Sequence, residues 1–167
     1  MSTTGVHFAL NPEQATELLA AKDDETLLNF LEQTEEAWDE EWLLKTDHAW
    51  DAIHRFLTDG QLGSENGEYP NRLAVIGGRQ LYTGDDYLVT FISPKEVEDV
   101  AASLQLVNKK TTCDKFFLID KDDYGEEMSK EAFDIIWAHF EALRAFFKKA
   151  AAAKRPVVFT VDLIDFA

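Results

Sequence analysis

Residues 46–60, TDHAWDAIHRFLTDG, decide how the rest of the chain is arranged, because they combine the start and stop signals of one helix. At the start, the short side-chain oxygen of Thr46 or Asp47 can accept a hydrogen bond from an unpaired N–H of the first turn. At the end, Gly60 takes the left-handed backbone conformation at little cost. The pattern therefore predicts a single helix over these residues.

One face of this predicted helix is apolar and carries a histidine. Trp50, Ile53 and Leu57 follow helical spacing, and His54 lies on the same face. Histidine serves as base, acid or ligand near neutral pH, and Asp51 could orient the ring. Two interpretations stay open: a functional His54, or a structural one whose ring nitrogens are satisfied by backbone or carboxylate groups, because one histidine alone is no mechanism.

Four parts of the chain carry a family resemblance. They are GVHF at residues 5–8, WDxxHxxLT at 50–58, LAVIGG at 73–78 with the acidic turn DDY at 85–87, and SPxEV at 93–97. In this order they resemble the YfbM-like family, small bacterial proteins of unknown function. The resemblance implies an α+β fold and a bacterial cytosolic setting. It implies no activity, cofactor or catalytic residue.

Local periodicity also predicts an α+β fold, with one domain over residues 1–167. Apolar and β-branched runs predict a small sheet of about four strands, at residues 6–10, 81–82, 87–92 and 157–163. Several helices cover this sheet, and the longest follows Ser129 and ends near Lys154. Its core face is formed by Phe133, Ile136, Trp137, Phe140, Leu143 and Phe147.

Two shorter helices are predicted from capping boxes, in which the cap and the third helical residue bond each other reciprocally. These pairs are Asn11 with Gln14, and Ser93 with Glu96. A proline follows each cap, where its missing N–H costs nothing. The pair Gly77-Gly78 lacks the spacing of a phosphate loop and is typical of a turn or a close backbone approach.

The charge balance restricts the classes of partner. A net charge of −16, from 32 acidic and 16 basic residues, repels nucleic-acid phosphates and anionic membrane surfaces. Such a field favours a basic protein partner instead. The single cysteine, Cys113, forms no intramolecular disulfide, and no stretch has the roughly 18 apolar residues of a membrane span. We therefore expect a cytoplasmic protein, of an oligomeric state that the sequence does not indicate.

Residues 32–47 concentrate this negative charge, with seven acids and only Lys45 as a base. We expect them to extend a helix that starts near residue 23 and carries Trp38 and Trp42 in its apolar stripe. The acids then form either an ordinary solvated face or a docking surface for a basic partner. The candidate interaction surface consists of Glu35, Glu36, Glu40 and Glu41.

The chain shows no complete metal or cofactor motif, so no metal and no cofactor are predicted. It has no HExxH pair, and residues 120–131 depart from a calcium loop because Tyr124 stands where an oxygen ligand is needed. Asp114 beside Cys113 disfavours a reactive thiolate.

Three functional hypotheses remain. The first is an acidic binding protein without catalysis, which contacts its partner through the acidic helix faces and the loop at residues 59–71. The second is a small-molecule hydrolase or transferase with a pocket around His54. The third is an acidic antagonist of a basic protein. The candidate pocket of the second hypothesis consists of His54, Asp51, Trp50, Tyr87 and His7, the last on a strand and facing away from Val6 and Phe8.

Overall fold

A computed structural model of the chain describes residues 4–37 and 39–162, and within them the fold is α+β, as predicted. The strands are β1 (Gly5–Ala9), β2 (Leu43–Asp47), β3 (Arg79–Gln80), β4 (Tyr87–Ile92) and β5 (Val157–Asp162). The helices are α1 (Pro12–Leu19), α2 (Asp24–Ala37), α3 (Ala49–Leu57), α4 (Pro94–Leu104), α5 (Lys109–Phe117), α6 (Lys121–Tyr124) and α7 (Lys130–Ala152). A short 3₁₀ helix, Asn71–Leu73, follows the loop after α3.

The described strands form one antiparallel sheet in the order β2-β1-β5-β4-β3. It has five strands rather than about four: the sequence did not indicate β2, and β3 lies at Arg79–Gln80 rather than at the predicted residues 81–82. The centre of the sheet is β5, the last strand of the described residues. It pairs with β1 on one side and with β4 on the other.

The sheet separates two apolar clusters, which explains why β1 is buried on both faces. Val6 and Phe8 face the cluster under α1 and α2. His7 points the opposite way, toward the aromatic rings of Phe146 and Phe147 on α7, as strand alternation predicts. The larger cluster lies on the side of α3, α4 and α7.

Helix α7 is the long core helix that the sequence predicts. Ser129 caps it by accepting a hydrogen bond from the N–H of Ala132, and it ends at Ala152, slightly before the expected Lys154. Its predicted apolar positions are buried, and each large side chain taken from water contributes about 1.5–3 kcal/mol. The capping boxes of α1 and α4 also form as predicted.

The prediction of one helix over residues 46–60 is wrong at its start. Thr46 and Asp47 belong to β2 and cap nothing, and α3 begins only at Ala49. Thr46 Oγ1 instead donates to the carbonyl of Gly5 at 3.3 Å, because pairing with β1 satisfies this part of the backbone. At the other end, Gly60 has the expected left-handed conformation, with φ of 92°.

The acidic stretch 32–47 is not one helix either. Helix α2 ends at Ala37, and the chain turns back so that the carbonyl of Trp42 accepts from the N–H of Ala9 at 2.9 Å. The indole of Trp42 lies under Arg155, whose Cζ is 3.7 Å from a ring centroid. This cation–π contact favours the turn over a longer helix. Trp38, and Leu163 at the predicted end of the last strand, lie outside the described residues.

Candidate functional site

His54 holds the loop that follows α3 in place through hydrogen bonds. Its side chain is fully buried, and Nε2 donates to the carbonyl of Gly63 at 2.8 Å and to Oδ1 of Asn66 at 3.0 Å. The amide of Asn66 in turn donates to Thr58 Oγ1, Asp59 Oδ1 and the carbonyl of Gln61. Hydrogen bonds of the His54 and Asn66 side chains therefore hold residues 58–66 in a closed loop.

The environment of His54 keeps its imidazole neutral. Burial lowers its pKa, while the bonds to Asn66 and Gly63 and the charge of Asp51 act in the opposite direction. Its Nδ1 is buried and has no hydrogen-bond partner among the described residues, so a second proton there would have no acceptor. The contacts of Nε2 are those expected of a structural His54, whereas the unpartnered Nδ1 is not, so both interpretations of His54 stay open.

Asp51 does not orient His54. Its Oδ1 accepts from Arg55 Nε at 2.6 Å, and Arg55 Nη1 also donates to Asp123 Oδ2 at 2.7 Å. The guanidinium lies 5.5 Å from the ring centroid of Tyr124 and joins α3 to α6. Burial raises the pKa of Asp51, and the hydrogen bond from Arg55 opposes this rise. The i, i+4 spacing of Asp51 and Arg55 was the sequence signal for this ion pair.

His7 and Trp50 meet in the core on the α7 side of the sheet. His7 Nε2 donates to the carbonyl of Ala74 at 2.8 Å, and its ring centroid is 4.7 Å from that of Phe159. Trp50 contacts the same phenyl ring at 5.9 Å. Burial lowers the pKa of His7 to about 4, so this imidazole is neutral at physiological pH. Both side chains are almost completely shielded from solvent.

Tyr87 lies on the opposite side of the sheet from these residues. It starts β4 on the face covered by α2, and its ring packs edge-on against Tyr82 at 5.9 Å. The structure therefore places His54 beside Asp51 on α3 and joins His7 to Trp50 through Phe159. It does not bring the five predicted pocket residues into one cavity.

Tyr87 instead lines a groove of about 740 Å³ between α2 and the sheet. The floor of this groove is apolar. It is formed by Val6 and Phe8 of β1 and by Leu28 and Leu31 of α2. A cavity of this volume lies in the range of ligand-binding clefts.

The rim of the groove is acidic. Glu25, Glu32 and Glu35 line it from α2, and Asp162 lines it from β5. Lys45 is the one basic residue of the described lining, and its Nζ lies 3.9 Å from Glu35 Oε1. Nothing in the local sequence distinguishes Glu25, Glu32 and Asp162 from other acids of the chain, because they come together only when α2 packs on the sheet.

The electrostatic effect of this rim is visible at Tyr87. Burial raises the pKa of its hydroxyl, and the nearby carboxylates of Asp162, Asp86, Glu32 and Glu35 raise it further. The part of this rise that the carboxylates cause reflects a negative potential at the groove, since the phenolate would add charge of the same sign. The groove thus favours positively charged groups.

The predicted interaction surface is divided between the groove and the turn beside it. Glu35 is half-buried in the groove, and Glu36 is exposed at the end of α2. Glu40 and Glu41 lie in the turn before β2, not on a helix. Lys149 Nζ approaches Glu41 Oε1 at 3.6 Å and donates to its carbonyl oxygen at 2.7 Å.

The described residues contain neither a cluster of metal-binding side chains nor a membrane-spanning helix. In residues 4–37 and 39–162, no group of three or more histidine, cysteine, aspartate or glutamate side chains is arranged to hold a metal ion. In the same part of the chain, no helix has the length and apolar character needed to cross a membrane.

Comparison with known proteins agrees with the resemblance carried by the four sequence segments. Residues 1–160 match the model of a family described as a domain of unknown function, DUF1877. The chain is similar to the crystal structure of YfbM from Escherichia coli, a protein of unknown function, with a TM-score of 0.70 and 17% identity over 95% of this chain and 99% of that chain. At this identity the similarity shows the fold alone. No curated protein matches the sequence.

Proposed function

The chain belongs to the DUF1877 family, a domain of unknown function, and we propose that it is a non-catalytic binding protein for a positively charged protein partner in the bacterial cytosol. The observation that carries this proposal is the groove between α2 and the sheet, with its apolar floor and acidic rim. We extend the proposed contact surface to Glu36, Glu40 and Glu41, which are exposed at the end of α2 and in the turn that follows it; Glu41 already lies 3.6 Å from Lys149 Nζ.

Both long-range attraction and the charges at the contact surface support a positively charged partner. A net charge of −16 attracts basic proteins over a distance set by the ionic strength. At contact, carboxylates along a partly enclosed groove are screened less by salt than isolated surface charges are. Among the described residues, Glu25 and Glu32 form no ion pair with a basic side chain, so they are available to a partner.

The catalytic alternative has less support from the geometry. The hydrogen bonds of His54 Nε2 go to the loop after α3, and the carboxylate of Asp51 is engaged by Arg55. Tyr87 lies on the other face of the sheet. An antagonist of a basic protein is a special case of the proposed function, and the same groove would serve it.

The test measures binding of a lysine-rich peptide by fluorescence anisotropy at low and physiological salt. We expect E32Q/E35Q, which neutralises two carboxylates of the groove, to weaken binding by about threefold to tenfold, as for one or two exposed ion pairs. The matched control is E13Q/E17Q, which makes the same charge change on exposed positions of α1. Equal losses in the two variants would show that net charge alone attracts the peptide, and would overturn the proposal.

A further inference from the structure

The acids of the groove form a row along α2. Glu25, Asn29 and Glu32 are spaced i, i+4 and i+7, so they lie on one face of the helix, and Glu35 continues the row. Ten residues separate Glu25 from Glu35, which corresponds to about 15 Å along a helix. A ligand that uses the whole row is therefore elongated and carries several positive charges.

The strands beneath the apolar floor of the groove have no free edge. Strand β1 pairs with β2 and β5, and β5 pairs with β1 and β4, so the N–H and C=O groups of these two strands are engaged in the sheet ladders. A partner segment cannot add to this sheet as a further strand here. If the backbone of a partner segment lay over the apolar floor of Val6, Phe8 and Leu28, its N–H and C=O groups would have no hydrogen-bond partners there. The partner's backbone therefore stays in water at the mouth of the groove. Only side chains enter the groove.

Lysine side chains fit both parts of the lining. Their methylene stems cover apolar surface while the ammonium group reaches the acids at the rim. In an extended segment, alternate side chains point to one side, at about 3.3 Å per residue, so three alternating lysines span about 13 Å. This length is close to that of the acidic row on α2.

Resting on the proposed function, we propose that the groove binds an extended segment of the partner in which lysines alternate with other residues, K-x-K-x-K. The three side chains enter the groove, and their ammonium groups pair with Glu25, Glu32 and Glu35 or Asp162. The ammonium group of the chain's own Lys45 occupies one of the positions expected for a partner's ammonium group, because Lys45 Nζ lies 3.9 Å from Glu35 Oε1. The partner's lysine takes its place on binding.

The experiment compares two labelled peptides of equal composition, KTKTKTK and KKKKTTT, by fluorescence anisotropy with the full chain. We expect the alternating peptide to bind about threefold to tenfold more tightly, as for one or two further ion pairs. E25Q/E32Q should abolish this preference, whereas E13Q/E17Q should retain it. K45Q should strengthen binding of the alternating peptide, since it removes a competing cation. All five positions are exposed, and a thermal melt verifies that each variant is folded.

The remaining outcomes separate this inference from the proposed function. Equal affinity of the two peptides, with loss in E25Q/E32Q only, would overturn the alternating pattern and leave the function standing. A linear tetraamine that binds the groove more tightly than KTKTKTK would show a small-molecule ligand and overturn the protein segment. Insensitivity of every ligand to the groove variants would overturn both.

Discussion

Replacing His7 with glutamine should make the stability of the protein less sensitive to acid. Glutamine retains an N–H donor for the carbonyl of Ala74, which His7 Nε2 contacts at 2.8 Å, but it does not titrate. In the folded chain, burial lowers the pKa of His7 from 6.5 to about 4. The unfolded chain therefore takes up this proton at a higher pH than the folded chain does, and stability falls as the pH decreases.

The size of this effect follows from the two pKa values. Between pH 7 and pH 5, the free energy of unfolding should fall by about 2 kcal/mol because of His7 alone. Below the folded pKa, near pH 4, the contribution levels off at about 3 kcal/mol, as expected from the difference between pKa values of 6.5 and about 4. The side chain is fully buried, so no correction for solvent screening applies.

The assay is urea unfolding followed by tryptophan fluorescence at pH 7, 6 and 5. The difference between wild type and H7Q removes the contributions of other titrating groups to the pH dependence. One of these groups is Asp51, whose raised pKa increases the free energy of unfolding as the pH falls, opposite to the effect of His7. The control is H139Q, which removes a partly exposed histidine of α7. If wild type and H7Q lose the same free energy between pH 7 and pH 5, the burial argument for His7 is refuted.

Three further variants test other contacts. G77A places a methyl group 1.9 Å from the carbonyl oxygen of Arg72, so we expect a loss of about 1–3 kcal/mol or more in urea unfolding. N66D removes an amide that donates three hydrogen bonds, so the loop after α3 should exchange its amide hydrogens faster, and an unchanged exchange rate would contradict its role. R55M leaves the carboxylate of Asp51 without its cation, and we expect a loss of about 3–5 kcal/mol that should shrink as the pH falls and the carboxyl protonates.

Much of the fold was predictable because its determinants are local. The cap at Ser93 depends on a partner only three residues away, and the apolar face of α7 depends on spacing within one helix. Strand β2 was missed because its formation depends on pairing with β1, far away in the sequence, as in Gly5 with Asp47. Its residues also follow an acidic turn, and Trp42 extended the apparent helical stripe.

The candidate site was predictable only in its charge. The excess of acids indicated a cationic partner, and Glu35 was among the residues singled out. The groove itself combines α2 with β1, β4 and β5, and no spacing along the chain reports such an assembly. The roles of His54 and Asp51 depended on their actual partners, Asn66 and Arg55. A histidine and an aspartate three residues apart are compatible with several chemistries until those partners are known.

The central position of β5 has a consequence for biosynthesis. Until Val157–Asp162 have been synthesised, β1 with β2 and β3 with β4 are two separate ladders, since among the described strands only β5 joins them. The apolar faces of both ladders then lack the strand that unites them. A chain that stops before Val157 therefore has an incomplete core, which would expose it to proteases and chaperones.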